Sequence, residues 1–178
     1  MKNKILALGL VCAMALSLAA CGGESSDTKV IEGNATQTAS SSESSSGGYT
    51  FTYDSTNIAV DTDAAPVIEK LGEPKSYFES PSCAADGIGK LYTYNDFEIQ
   101  TYPDGDKDLI LYVLLRTDNV ATAEGIDLSS SRDDIIAAYG EPTSEATGAM
   151  TYEKNGTKLV FIFDGDSLIS IEYDSPKN

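Results

Sequence analysis

The 178-residue chain contains no histidine, no tryptophan and only three cysteines. Without histidine, Ser-His-Asp and Cys-His catalytic sites and histidine-ligated zinc are excluded. Basic residues are also few, because 12 Lys and Arg stand against 28 Asp and Glu and give a formal net charge of −16. Such a chain repels nucleic acid and anionic headgroups, so we expect any partner to be neutral or basic. The acidity would also serve simply to keep the chain soluble.

The first 21 residues have the pattern of an export signal. Lys2 and Lys4 precede an apolar run from Ile5 to Leu16, which is too short to span a membrane and closes on Leu18-Ala19-Ala20-Cys21. This last stretch resembles the lipobox of bacterial lipoproteins. The resemblance implies removal of residues 1–20, a diacylglyceryl group and acyl chains such as palmitate on Cys21, and a location at the extracytoplasmic face of the cell membrane. Ordinary secretion without lipid is the alternative.

A flexible tether is predicted to follow the lipid anchor. Residues 21–48 are dominated by Ser, Gly, Thr, Glu and Ala, so they cannot bury enough apolar surface to offset chain entropy. A flexible coil of this length reaches about 30 Å. Because Cys12 leaves with the signal and Cys21 is lipidated, Cys83 remains alone and no intramolecular disulfide is expected.

The rest of the chain contains an internal duplication. Residues 57–74 return 68 positions later as residues 125–142, and both copies close on Gly-Glu-Pro. Each copy predicts a short helix, the first from Ala64 to Leu71 with Asp63 as its N-cap and the second capped by Ser131. A recurrence of this length indicates two copies of one supersecondary unit.

Three strand candidates follow each predicted helix. Turn chemistry is strongest at Asn155-Gly156 and Asp164-Gly165, which lie between β-branched and aromatic runs. We therefore predict an α+β fold of two tandem repeats, each a helix plus a three-stranded antiparallel meander, in one sheet-based domain. The first repeat, with an N-terminal strand at Tyr49–Tyr53, covers residues 49–124 and the second covers residues 125–178. The strand candidates are residues 90–94, 97–102 and 109–116, then 149–153, 158–163 and 168–173.

The order of helix, Gly-Glu-Pro turn and meander resembles the SmpA/OmlA-like lipoproteins of outer-membrane assembly. Two such units in tandem are similar to the β-lactamase inhibitory proteins. The resemblance covers residues 57–173 and rests on the turns at residues 71–74 and 139–142 with the strands after them. It implies a sheet surface that binds protein, although this chain lacks the disulfides and the tryptophan of those inhibitors.

Aromatic residues are the candidates for that binding surface. Tyrosine contributes contact area with little loss of entropy, and six tyrosines fall on predicted strands. The first copy also has ten extra residues, predicted as a loop from Lys75 to Gly89. For each aromatic residue, packing in the core or at its rim is the alternative. The predicted protein-binding residues are Tyr77, Phe78, Tyr92, Tyr94, Tyr112 and Tyr152.

Three other motifs are weaker. Cys83 has no basic neighbour in sequence to lower its pKa, so we expect an inert thiol. Asp104 to Asp108 has carboxylates at alternate positions but lacks the glutamate and the glycine placement of a calcium loop, so a hairpin turn is the simpler interpretation and weak calcium binding is the alternative. Asp133-Asp134 suits the first turn of a helix better than carboxylate catalysis.

The sequence thus predicts a non-enzymatic, lipid-anchored protein-binding module of the bacterial cell envelope. It would bind an envelope or secreted protein, contact the membrane through the lipid anchor only, bind no nucleic acid and need no metal or cofactor. The main alternative is a proteinaceous inhibitor or regulator of a secreted or wall-associated enzyme. A small hydrolase that uses carboxylates is a third hypothesis.

Overall fold

Ten strands and two short helices make up the described part of the chain, which is residues 47–178 of a computed structural model. The predicted signal peptide, Cys21 and nearly all of the predicted tether lie outside the described residues. In order, the elements are β1 (Phe51–Tyr53), β2 (Thr56–Ile58), α1 (Ala65–Leu71), β3 (Ser76–Pro81), β4 (Ile88–Thr93), β5 (Phe97–Asp104), β6 (Lys107–Leu115), α2 (Arg132–Tyr139), β7 (Ser144–Ala146), β8 (Ala149–Lys154), β9 (Thr157–Asp164) and β10 (Ser167–Asp174).

Eight of the strands form one antiparallel sheet in the order β3-β4-β5-β6-β10-β9-β8-β7. Two runs of four consecutive strands therefore meet where the last strand, β10, pairs with β6, with Ile171 opposite Leu115 and Asp174 opposite Tyr112. Strands β1 and β2 form a separate hairpin. Among the strands of residues 47–178, β3 and β7 form the two edges of this sheet.

The predicted fold class is wrong. Strands account for 46% and helices for 11% of the described residues, so the protein is mostly β rather than an α+β fold of tandem repeats. Each helix is followed by four strands. The prediction had three after each helix, since it missed β3 and β7. Both lie at an edge with exposed side chains, so they lack the alternation of buried and exposed residues that predicts a strand.

The hairpin turns follow from residues that tolerate a positive φ. Asn155 and Gly156 have φ values of 47° and 82°, which is the type I′ pattern predicted for this dipeptide. The β9–β10 hairpin also turns where predicted, with Gly165 at φ 61°. The β5–β6 turn is shorter than the predicted span of residues 103–108, because β5 continues to Asp104 and β6 begins at Lys107.

The helices differ at their starts. Ser131 caps α2 as predicted, since its Oγ accepts a hydrogen bond from the Asp134 N–H while the Asp134 carboxylate accepts one from the Ser131 N–H. The prediction that Asp63 is the N-cap of α1 is wrong, because Ala64 holds that position and the helix begins at Ala65. The Asp63 carboxylate still accepts a hydrogen bond from the Ala65 N–H at 3.1 Å.

The hydrophobic core lies on one face of the sheet. Along β9 the side chains alternate strictly between buried and half-buried, as expected of a sheet covered on one face. The helices contribute Val67 and Ile135 to this core, and the β1–β2 hairpin contributes Phe51 and Ile58. The sheet residues buried against them include Phe97, Ile99, Val113, Leu115, Leu159, Phe161 and Ile171.

Candidate binding surfaces

The predicted binding residues separate into exposed and packed groups. Tyr77 and Phe78 are exposed, with 49% and 62% of their surface accessible. Tyr92 and Tyr94 are partly buried and pack against the core, and Tyr112 is half-buried on the opposite face of the sheet. The prediction is wrong for Tyr152, which is only 2% accessible.

Tyr152 and Tyr94 instead fasten the ends of the helices. The Tyr152 hydroxyl donates to the Gly140 carbonyl at 2.9 Å, and its ring packs against Tyr139 with centroids 5.3 Å apart. The Tyr94 hydroxyl lies 3.4 Å from the Gly72 carbonyl in the same way. Each glycine follows a helix, so each tyrosine supplies a donor to a carbonyl at a helix C-terminus. These roles are structural.

The predicted loop from Lys75 to Gly89 is largely the edge hairpin β3–β4. Residues 82–87 turn the chain, and the Ser82 N–H donates to the Gly87 carbonyl at 2.9 Å. Of the four exposed large hydrophobic residues in the described part of the chain, Tyr77, Phe78 and Ile88 lie on this hairpin. The exception, Ile169, lies on β10 and is 54% accessible. Apolar surface is therefore concentrated at one edge of the sheet.

The helix-facing side of this hairpin carries a paired set of polar groups. The Tyr77 and Tyr92 rings lie 5.1 Å apart, and the Tyr77 hydroxyl donates to the Glu79 carboxylate. Lys90 Nζ lies 2.6 Å from Asp108 Oδ2, and this pair raises the pKa of Lys90. A groove of about 300 Å³ beside α1 is lined by both members of the pair. Because the two charges neutralise each other, they leave little net field for a charged small ligand.

The backbone of β3 has hydrogen-bonding groups directed away from the sheet. Antiparallel pairs alternate between hydrogen-bonded and non-hydrogen-bonded, and the bonded Ser82–Gly87 pair fixes the phase. Ser80, Phe78 and Ser76 therefore bond to β4, whereas Tyr77 and Glu79 direct their N–H and C=O groups outward. Pro81 is the next outward position. Its missing N–H removes no hydrogen bond to β4, and it leaves Tyr77 and Glu79 as the outward N–H donors of β3.

The second candidate surface is the face of the sheet opposite the core, called the open face below. Its central apolar side chains are half-buried and come from alternate strands of the sheet. They are Leu91 on β4, Tyr112 and Leu114 on β6, and Val160 and Ile162 on β9. The strands between them contribute polar side chains, so that Tyr112 lies between Gln100 and Asp174, and Leu114 between Glu98 and Glu172. Exposed apolar side chains with carboxylates between and beside them are an arrangement found at protein-binding surfaces.

The carboxylates of the open face differ in how they are compensated. Glu98 is 8% accessible and forms an ion pair with Arg116. Asp174 is also 8% accessible, and burial, followed by the nearby charge of Glu172, raises its pKa to about 6. A hydrogen bond from Asn178 Nδ2 at 2.9 Å opposes this shift. A cationic side chain of a partner, placed near Asp174, would therefore stabilise its ionised form and lower its pKa.

One corner of the open face is occupied by the C-terminal residues. The Tyr102 hydroxyl and the Ser175 hydroxyl both donate to Asp61 Oδ1 at 2.7 Å. Lys177 Nζ lies over the Tyr102 ring, 4.4 Å from its centroid. Tyr102 is 1% accessible and is thus a packing residue, not a contact residue.

The remaining sequence motifs do not form sites. Within residues 47–178, no group of three or more acidic or cysteine side chains is placed to hold a metal ion. Asp104 to Asp108 forms the tip of the β5–β6 hairpin, where Asp108 is paired with Lys90. Asp134 is used in the capping box of α2. Cys83 is an exposed free thiol.

Comparisons with protein families, with curated proteins and with solved structures found no match to this chain. No helix of the described part is long and apolar enough to cross a membrane.

Proposed function

We propose that the protein is a lipid-anchored, non-enzymatic module that binds another protein at the extracytoplasmic face of the cell membrane. The proposal rests on one observation above all: the open face presents apolar side chains on both sides of Glu172, Tyr112 and Leu114 on β6 and Val160 and Ile162 on β9, and no described element covers them. Surfaces of this kind, with apolar centres and polar rims, bind proteins more often than small molecules. The groove beside α1 is lined mainly by charges that are already paired.

The charge of the open face favours a basic partner segment. Glu172 and Asp174 lie on β10 beside Tyr112 and Leu114, and the chain as a whole carries a net charge of −16. A Lys or Arg side chain of the partner, placed near Asp174, would lower the pKa that burial raises. Complementary charge would also speed association, and salt would weaken it. If the partner is a secreted enzyme, binding would make the protein its inhibitor or regulator.

The predicted leader supplies the location. Lipidation of Cys21 and a tether to residue 48 would hold the sheet near the membrane while leaving it free to reach about 30 Å. Cys21→Ser is expected to move the protein from the membrane fraction to the soluble fraction of cells. Retention of this variant in membranes would contradict lipid anchoring and leave the binding test unaffected.

Photo-crosslinking in cells tests the binding surface. A photoreactive phenylalanine replaces Tyr112 in the full chain, and the matched control carries it at Ile88, which is 47% accessible and lies on the edge hairpin outside the open face. We expect one discrete protein adduct at position 112 that Glu172→Lys diminishes. Equal adduct patterns at the two positions, or no protein adduct at position 112, would remove the open face as a binding surface.

A further inference from the structure

We propose that the β3 edge binds the β3 edge of a second copy of this chain, in antiparallel register centred on Phe78. The proposal is independent of the function assigned to the open face. Two sheets joined in this way would form one continuous sheet about a two-fold axis perpendicular to it. The edge is suited to this because its apolar residues are exposed and its outward backbone groups are free of the β3–β4 ladder.

The backbone groups match in this register. Tyr77 and Glu79 direct their N–H and C=O groups outward, and centring on Phe78 places Tyr77 of one copy opposite Glu79 of the other. Each such pair forms two main-chain hydrogen bonds, so the two symmetry-related pairs form four. Pro81 falls outside the paired residues, and its missing N–H is not needed there.

The side chains are self-complementary as well. Within Ser76–Pro81, the register pairs Ser76 with Ser80, Tyr77 with Glu79, and Phe78 with itself. In one chain the Tyr77 hydroxyl already donates to the Glu79 carboxylate, so the same two groups are available to each other across the interface. The two Phe78 side chains lie opposite each other at a non-hydrogen-bonded pair, where side chains approach most closely.

Other registers fit less well. Centring on Glu79 places two carboxylates opposite each other and puts Pro81 opposite the outward groups of Tyr77. Centring on Tyr77 requires Lys75, which precedes the strand, and leaves Ser80 opposite Pro74. Because the side-chain period of a strand is two, a one-residue slip would also reverse the faces of the sheet.

A second copy of this chain fits the β3 edge better than an unrelated strand does. In an antiparallel pair centred on Phe78, the strand Ser-Tyr-Phe-Glu-Ser meets its own sequence in reverse order. The hydroxyl donor of Tyr77 then lies opposite the carboxylate acceptor of Glu79. An edge contact is small, so we expect weak association in solution, and confinement of lipid-anchored copies to one membrane would raise their effective concentration. Because both copies are acidic, added salt should strengthen the contact.

Sedimentation velocity of residues 22–178 over a concentration series tests the proposal. This segment retains the whole described core and omits only the signal and the lipidated cysteine. We expect a monomer–dimer equilibrium that tightens as salt is raised. Phe78→Lys, which places two ammonium groups at the two-fold axis, should weaken dimerisation at least tenfold, whereas Ile169→Lys should leave it unchanged. Glu79→Pro removes an outward N–H that the single chain does not use and should have the same effect as Phe78→Lys.

Disulfide formation tests the register. With Cys83→Ser to remove the natural thiol, Phe78→Cys should oxidise rapidly to a covalent dimer, because only this position faces itself. Tyr77→Cys and Ile169→Cys should oxidise more slowly. A wild-type chain that stays monomeric at every concentration, or equal oxidation at all three positions, would overturn the proposal. Retention of the Tyr112 adduct in the Phe78→Lys variant separates this result from the proposed function.

Discussion

The two edge strands of the sheet, β3 and β7, each follow a helix, but they differ in length and in exposed side chains. Strand β3 has six residues and exposes Tyr77 and Phe78, whereas β7 has three residues, Ser144 to Ala146. Glu145 on β7 is also held 3.5 Å from Arg132, so a charge stands at that edge. A short, charged edge is how proteins prevent strand addition, and a longer apolar edge permits it. The difference indicates that one edge is closed and the other is available for contact.

The packing of aromatic side chains also differs between the two halves of the sheet. In the second half, Tyr139 at the end of α2 packs against Tyr49, Tyr152 and Phe161, with ring centroids 5.3 to 5.9 Å apart. In the first half Leu71 ends α1, and the buried aromatic cluster forms around Phe97, which contacts Phe51, Tyr53 and Tyr94. The Tyr92 ring has Tyr77 of the edge strand as its neighbour. An aromatic ring at the end of the helix is therefore found in the second half, and a partly exposed aromatic pair beside the edge strand is found in the first.

The largest expected effect is on stability beside α2. Tyr139→Ala removes contacts with three aromatic rings and the hydrogen bond to Glu124, so we expect a loss of about 3 kcal/mol in the free energy of unfolding. Leu71→Ala should lose only about 1.5 kcal/mol, because Leu71 is partly exposed, is smaller than tyrosine and has no ring that could stack on other rings. Urea denaturation of residues 22–178 measures both, and equal losses would contradict an energetic difference between the halves.

The next largest effect is on the stability at Asp174, where β10 pairs with β6, and it depends on pH. Asp174 has a pKa raised to about 6 from 3.8, so its ionised form destabilises the folded state above pH 6. As pH falls through 6 towards 3.8, this destabilisation disappears. Asp174→Asn should therefore increase the free energy of unfolding by about 2 kcal/mol at pH 8 and by almost nothing below pH 4. Denaturation at both pH values checks this, and a benefit of the same size at pH 4 would point to packing instead of charge.

The smallest effect compares two hydroxyl groups. Tyr152→Phe removes a buried hydrogen bond to the Gly140 carbonyl and should cost about 1 kcal/mol. Tyr94→Phe removes the longer, more exposed contact with the Gly72 carbonyl and should cost less than half of that. Thermal denaturation of the two variants side by side measures the difference. Identical shifts would mean that the two helix ends are fastened equally well.

The sequence predicted elements well where local chemistry determines them. The Ser131 cap, the Asn155-Gly156 turn and the strand at residues 158–163 follow from short-range patterns, and each is confirmed. Edge strands were missed because β3 and β7 have no buried face to produce alternation. Because two strands were missing, we underestimated the strand content and predicted the wrong fold class.

The candidate surfaces were harder to predict for the same reason. Tyr152 lies between Thr151 and Glu153, a pattern that indicates a buried position, whereas Tyr112 lies in the continuous apolar run 109–115. Leu114, Val160, Ile162 and Asp174 were not predicted as open-face residues. The first three lie in the continuous apolar runs 109–115 and 159–163, which indicate strands but do not show which alternate residues face the core. The pairing of β10 with β6, which brings Asp174 beside Tyr112, depends on contacts between distant parts of the chain.

That pairing also has a consequence for synthesis. Strand β10 follows β9 in the chain, yet it lies at the centre of the sheet between β6 and β9. A chain that has emerged only as far as β9 can form hairpins but must leave the central edges of β6 and β9 unpaired. The two halves become one sheet only when β10 arrives, so chains that stop before it would expose an interior edge to their neighbours.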